Sequence, residues 1–444
     1  MGERGDPIEH KIKQDRALVA HPRFADNRAS DADYDLEEAI GLGEALGVVV
    51  LSSRIVPIRE IKAANYFGSG QISEMADEIA AQSLTLLIVN AALSPIQQRN
   101  LEKQLKVKVI DRTGMILEIF GLRAATKEGR LQVELARLGY ERSRLVRTWT
   151  HLERQRGGTG GLAGPGETQI ESDRRVLADK MTVLKRKLSD VRRTRGLQRK
   201  ARQRAPERVV ALVGYTNAGK STLFNRLTTG GVLAKDMLFA TLDTTHRVLP
   251  LPSGQTSILS DTVGFISDLP TSLITAFRAT LEEVKEADIL LHVRDMSDPL
   301  AERRREEVMD VLEQIDAGPE HGQPIIEVWN KTDLLFGETG EHLAERAAAS
   351  RTTADMIDAF EVSCLTGEGI DALRLGIEEA LTRNDYILDV RVTPAKFSAR
   401  AWLHQNGQVL REENIEGGIA EMQVRLSESD AGKFLARHKD LIVG

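Results

Sequence analysis

The sequence predicts an α/β multidomain fold whose largest part holds a mixed, mostly parallel sheet. Three observations carry that expectation. Apolar runs of strand length alternate with helix-length amphipathic patterns in two separate stretches of the chain. One such run, Val209 to Val213, feeds a glycine loop that opens a helix near Lys220. Between the two stretches lies a long, leucine-spaced, highly charged segment broken by six glycines in residues 157–166.

Taken in order, residues 1–35 read as a flexible N-terminal segment, polar and charged at its start, with no signal peptide. Residues 36–128 read as a small α/β subdomain. Its strands are Gly47 to Leu51, Leu84 to Val89 and Val107 to Asp111, and its helices are Gln71 to Gln82 and Pro95 to Leu105. The longest apolar run, Leu84 to Leu93, is too short and too interrupted to span a bilayer, so no membrane partner is expected. The single cysteine, Cys364, fits a reducing, cytoplasmic setting. It reads as a small buried filler rather than a redox switch.

Residues 129–205 read as a basic helical hairpin. Leu131, Leu135, Leu138, Leu145 and Leu152 share one face, and Val176, Met181, Leu184, Leu188 and Val191 share another. Residues 137–205 hold 19 Lys and Arg against 7 Asp and Glu, a balance of +12 in a chain whose total is −6. Cationic arms with a slender glycine tip suit a narrow cavity lined with phosphates. With only Tyr140 and Trp149 as aromatic platforms, the segment suits folded or double-stranded RNA gripped by its backbone rather than single strands. DNA is not an expected partner, and a monomer is the expected state.

Residues 206–384 carry the chemistry. Gly214-Tyr215-Thr216-Asn217-Ala218-Gly219-Lys220-Ser221-Thr222 is a phosphate-binding loop between strand and helix. Its backbone N–H groups and the helix start cradle phosphates, Lys220 reaches the β- and γ-phosphates, and Ser221 holds Mg²⁺. Asp261-Thr262-Val263-Gly264 ends the strand Thr256 to Ser260; Asp261 reaches Mg²⁺ through water and the Gly264 N–H senses a third phosphate. Phe239-Ala240-Thr241-Leu242-Asp243 supplies a hydroxyl to the Mg²⁺ shell, with Thr241 preferred over Thr244 and Thr245. Asn330-Lys331-Thr332-Asp333 suits guanine, because a carboxylate there meets the ring N–H and exocyclic amine, and adenine offers no such donor pair. Backbone N–H groups of Ser363-Cys364-Leu365 meet the guanine carbonyl. These motifs in this order describe a P-loop GTPase domain that takes GTP and GDP, with Lys220, Thr241 and Gly264 closest to the reaction.

Phe265 stands where many small GTPases place a water-orienting Gln, so hydrolysis by the isolated chain is expected to be slow. The missing group comes from the backbone, another loop or a partner. Asn217 either fixes its loop or helps hold a potassium ion. Residues 385–444 read as a small α+β domain, with strands Ile387 to Val392 and Glu421 to Leu426, and no assigned chemistry.

This order of motifs resembles the HflX family of ribosome-associated GTPases, of the TRAFAC class. The resemblance rests on residues 214–225, Leu238 to Asp243, Asp261 to Ile266, Leu93 to Leu101 with Asp111-Arg112-Thr113, and Gly161 to Gln169. It implies a factor that binds the large ribosomal subunit and its rRNA through residues 137–205, splits or rescues stalled ribosomes, and is stimulated by the ribosome. A regulatory GTPase switch acting on an acidic protein partner is the alternative. The sequence departs from the family at Asn90, where an acidic residue is usual nearby, at Thr244 in place of Pro, and at Arg294 in place of an apolar residue.

Overall fold

The structure is a computed structural model that describes residues 15–25, 29–155, 165–202, 208–228, 239, 244–267, 278–335, 356–415 and 417–443. It divides into two compact units. The first comprises residues 1–193, 235–243 and 266–279; the second comprises residues 194–234, 244–265 and 280–444.

The first unit is built on a four-stranded parallel sheet in the order β2-β1-β3-β4. Its strands are β1 (Arg16–Phe24), β2 (Val49–Ile58), β3 (Leu86–Val89) and β4 (Lys108–Asp111), joined by α1 (Ala29–Ala45), α2 (Ser69–Gln82) and α3 (Pro95–Leu105). The expectation that residues 1–35 form a flexible segment is therefore corrected. Residues 16–24 are a central strand, and α1 begins at Ala29. The run Leu18-Val19-Ala20 is short, and Pro22 and the flanking charges hide it. It is nonetheless wholly buried because parallel strands are covered on both faces. Helix α3 starts at a capping box: the Ser94 hydroxyl accepts from the Gln97 N–H, and the Gln97 side chain accepts from the Ser94 N–H.

Helix α4 (Arg112–Arg123) is capped by Asp111, which accepts from the Gly114 N–H at 2.8 Å. The two long helices α5 (Lys127–Gln155) and α6 (Pro165–Arg202) pack through Leu131, Leu138, Met181, Leu184 and Leu188. Val176, expected on that seam, is exposed. The tip residues 156–164 lie outside the described residues. Helix α5 is anchored at its middle, where the Tyr140 hydroxyl donates to Asp111 at 2.6 Å and Arg144 pairs with the same carboxylate. Burial, with the charge of Asp111, pushes the Tyr140 pKa far up, so the hydroxyl stays a donor. The neighbouring Arg112 is also buried. Its guanidinium bonds Asn90, Glu38 and the backbone carbonyl of Ser267. Asn90 thus supplies a neutral acceptor to an arginine whose charge Glu38 already balances.

The second unit holds a six-stranded sheet in the order β10-β9-β8-β5-β7-β6. Its strands are β5 (Val209–Val213), β6 (Thr245–Pro250), β7 (Thr256–Asp261), β8 (Ile289–Asp295), β9 (Ile325–Asn330) and β10 (Met356–Glu361). All pairs are parallel except β6 with β7. Helices α7 (Lys220–Leu227), α8 (Arg278–Lys285), α9 (Ala301–Gln314) and α10 (Ile370–Thr382) accompany it. Leu212, Leu223, Phe224, Leu291, Val328 and Leu373 sit in one buried cluster. Beyond them, β11 (Tyr386–Val392), β12 (Gln408–Ile415) and β13 (Ile419–Leu426) form an antiparallel sheet. It shares a core with α11 (Phe397–Asn406) and α12 (Glu428–His438). Among the described residues no helix is long and apolar enough to cross a membrane.

Candidate nucleotide-binding site

The C-terminal ends of β5, β7, β8 and β9 deliver the site, the usual place for ligands in an open α/β sheet. Strand β5 is apolar and central, so its end is rigid, and the loop from Gly214 turns straight into α7. Lys220 is buried, and its Nζ donates to the carbonyls of Gly214 and Tyr215 at 3.0 and 2.6 Å. Burial lowers its pKa to about 8, with Asp261 opposing the shift. The Ser221 hydroxyl donates to Asp261 at 2.8 Å. These two oxygens are a hard donor pair of the kind Mg²⁺ accepts.

The segment after β7 docks on the loop through its backbone. The Phe265 N–H donates to the Gly214 carbonyl, and the Thr216 N–H donates to the Phe265 carbonyl at 2.7 Å. The Phe265 ring is buried, so the side chain at the usual water-orienting position faces the core. Thr262 is fully buried and donates to the Leu212 carbonyl at 2.6 Å, which makes it a brace between strands. Gly264 has no room for a side chain: a Cβ there would lie 2.9 Å from the Thr216 methyl and 3.0 Å from Lys220 Nζ.

The base side closes around Asn330. Its amide donates to the Ala218 carbonyl at 2.8 Å, and its oxygen accepts from the Cys364 N–H at 3.1 Å. One buried side chain therefore joins the phosphate loop, the Asn-Lys-x-Asp loop and the 363–365 turn. Gly219 permits this joint, since it sits at φ +97° and a Cβ would fall 2.1 Å from the Asn330 amide nitrogen. Lys331, itself at φ +65°, reaches Asp295 at 2.6 Å. Thr332 and Asp333 follow in a short 3-10 turn. Cys364 is buried, and burial pushes its thiol up to about 12. It therefore stays protonated and unreactive at neutral pH.

Asn217 occupies the left-handed region at φ +61°. Phe239 is buried in the first unit with its ring edge-on to Phe120, 4.7 Å between centroids. The other residues expected beside the third phosphate, Ala240, Thr241, Leu242 and Asp243, lie outside the described residues.

Three features near the site carry no sequence motif. Asp295, at the end of β8, holds Lys331. Arg304 lies over the Tyr215 ring at 4.6 Å and pairs with Asp298. Arg294 belongs to a buried charge knot. It donates to Glu327 at 2.8 Å and to Glu302 at 2.6 Å, while Arg305 and the Trp329 indole also donate to Glu327 at 2.7 Å each. Burial alone raises the Glu327 pKa, but His292, Arg294 and Trp329 outweigh it and hold the carboxyl well below the usual range. Arg294 is thus the partner of a buried carboxylate, which accounts for a cation beside the apolar run Ile289 to Leu291.

Comparisons with known proteins agree across the chain. Residues 33–121 match a family model described as GTP-binding GTPase N-terminal, and 123–202 one described as GTP-binding GTPase middle region. Residues 209–331 match a 50S ribosome-binding GTPase model, and 343–439 an HflX C-terminal domain. A GTPase HflX of Magnetococcus marinus is 50% identical over 372 residues, 82% of this chain and 83% of that protein. One from Escherichia coli is 40% identical over 429 residues, covering 96% and 97%. Among solved structures, a GTP-binding protein from Sulfolobus solfataricus in complex with GDP is 24% identical, with a TM-score of 0.44, over 83% of this chain and 99% of that one.

Proposed function

This chain belongs to the HflX family of GTPases, and from that premise we propose that it hydrolyses GTP as a factor acting on the large ribosomal subunit. The observation that carries the nucleotide half is the Asn330 bridge. A single side chain ties the phosphate loop to both guanine-reading loops, so phosphate and base are gripped by one rigid assembly. Asp333 is the carboxylate for the base's two donors. Lys220 bears on the β- and γ-phosphates, and the Gly264 and Thr241 segments respond to the third phosphate. Mg²⁺ would be held by Ser221 and, through water, by Asp261, and would neutralise charge developing on the phosphate oxygens.

With Phe265 turned into the core, no side chain at that position orients water, so turnover in the isolated chain is slow and a partner supplies the missing order. The partner half rests on the hairpin of residues 129–205. Among the described residues, Arg142, Arg174 and Arg175 line an open groove between α5 and α6 together with Glu171, a surface suited to an RNA backbone. The factor works in the cytoplasm as a monomer, and its engagement of rRNA splits or rescues stalled ribosomes.

Co-sedimentation with large subunits tests this. With a non-hydrolysable GTP analogue the chain pellets with the subunits, with GDP it does not, and subunits raise the GTPase rate at least tenfold. Equal pelleting with both nucleotides, or an unchanged rate, overturns the ribosomal half. Capture of an acidic protein instead would favour a regulatory switch.

A further inference from the structure

Helix α7 begins at the phosphate loop and ends close to the guanine-reading turn. Its last turn carries Arg226, which no nucleotide-binding motif includes. The Arg226 Nε donates to the Cys364 carbonyl at 2.8 Å, and an Nη donates to the Leu365 carbonyl. Two successive carbonyls of the turn are thus held by one guanidinium, whose five donors in a rigid plane suit such a fork.

The peptide bond converts that grip into a direction. In a trans peptide the C=O of one residue points opposite to the N–H of the next. Holding the Cys364 carbonyl therefore fixes the Leu365 N–H on the far side. The other amides of the turn are set by different partners. Ser363 N–H donates to the Glu368 carbonyl, Cys364 N–H to the Asn330 side chain, Thr366 N–H to the Ser363 hydroxyl and Gly367 N–H to the Ser363 carbonyl. The guanidinium is held in place because Arg374, from α10, donates to the Arg226 and Leu227 carbonyls at 3.0 and 3.4 Å and secures the end of α7.

We propose that Arg226 is a positioning residue for guanine selection: from the end of the phosphate-loop helix it fixes the Leu365 N–H, the amide of the 363–365 turn left to read the purine 6-oxo group once the Ser363 and Cys364 N–H groups are taken by the Glu368 carbonyl and Asn330. This deepens the proposed function and rests on its reading of the nucleotide. It also makes α7 a strut that reports phosphate-loop position to the base.

The test compares GDP with 6-thio-GDP, which keeps both donors read by Asp333 and changes only the 6-position acceptor from oxygen to sulfur. Dissociation constants are measured by titration for the wild type, Arg226→Lys and Arg226→Ala, with thermal unfolding recorded for each. The wild type should prefer GDP by roughly tenfold or more, the scale of one well-placed hydrogen bond. Arg226→Ala should compress that preference to within about threefold, mainly by losing GDP affinity. Arg226→Lys, which can hold one carbonyl but not two, should fall between. Equal losses for both nucleotides, leaving the ratio intact, would mean a purely structural role and overturn the proposal. Should Arg226→Ala fail to fold, the Arg226→Lys ratio decides alone: wild-type discrimination there overturns the proposal. A wild type that binds neither nucleotide would instead sink the reading of the site itself.

Discussion

The two ends of the nucleotide site are built in different ways. The phosphate end is one continuous stretch, residues 214–222, with the Asp261 to Phe265 segment laid against it through backbone bonds. The base end is assembled from distant pieces: Ala218, Arg226, Asp295, Asn330 to Asp333, Ser363 to Leu365 and Arg374. On the proposed reading, charge and hard oxygens do the binding at the first. At the second, the Asn330 amide and the Arg226 and Arg374 guanidiniums hold backbone groups in position, and Lys331 is paired with Asp295. Damage at the phosphate end should therefore depend on pH and Mg²⁺. Damage at the base end should appear as lost selectivity that Mg²⁺ does not rescue.

The largest effect is expected at the phosphate end. Lys220→Ala removes charge-assisted hydrogen bonds worth about 1.5–3 kcal/mol each, so GDP affinity should fall roughly 100- to 10,000-fold. Calorimetric titration with and without Mg²⁺ would measure it. A loss under tenfold would mean that Lys220 does not face the phosphates. Next comes the charge knot behind both ends. Glu327→Gln removes the buried carboxylate that Arg294 and Arg305 share and leaves Arg294 with only the half-exposed Glu302, which should cost about 3–5 kcal/mol of stability in denaturant unfolding. Guanine affinity of the folded protein should stay within about twofold. A large affinity change without destabilisation would show that the knot belongs to the binding site.

At the base end, Asn330→Ala leaves the buried Ala218 carbonyl and Cys364 N–H without their shared partner. The cost is about 1–3 kcal/mol for each orphaned group. GDP affinity should drop by roughly 30-fold or more, and preference over ADP should shrink along with it. Unaltered GDP-over-ADP preference in that variant would break the contrast, because the joint would then serve only the phosphates.

The same contrast explains what was legible in the sequence. A contiguous motif announces itself, so the phosphate loop, Asp261 and the Asn330 loop could all be located, and so could the mixed sheet beneath them. Arg226, Asp295 and Arg374 act across chain separations of 36 to 148 residues on backbone atoms or a lysine. No local pattern marks such residues; only the turn that Arg226 holds could have prompted a search for a cation near it. Strand β1 was missed because its apolar run of a few residues sits among charges and a proline, and its burial comes from neighbours, not from its own alternation. Arg294 looked anomalous because its partner Glu327 lies on the next strand.

The smallest expected effect is the pH dependence of binding, and its sign separates the two ends. Lys220 titrates at about 8 in the folded chain against 10.5 for a free lysine. Between those values the unfolded chain binds the extra proton, so this group's contribution to stability rises with pH across that window. Nucleotide affinity runs the other way. Phosphates favour the charged ammonium, so binding weakens as pH rises through 8, by about fourfold between pH 7 and 8.5 from the fraction still protonated. A triphosphate lacking a purine should show the same loss as GDP if the effect lives at the phosphate end. In Arg226→Ala the slope should be unchanged, since that residue acts on the base and not on the charge. A slope that vanished in Arg226→Ala would couple the two ends electrostatically and overturn the division between them.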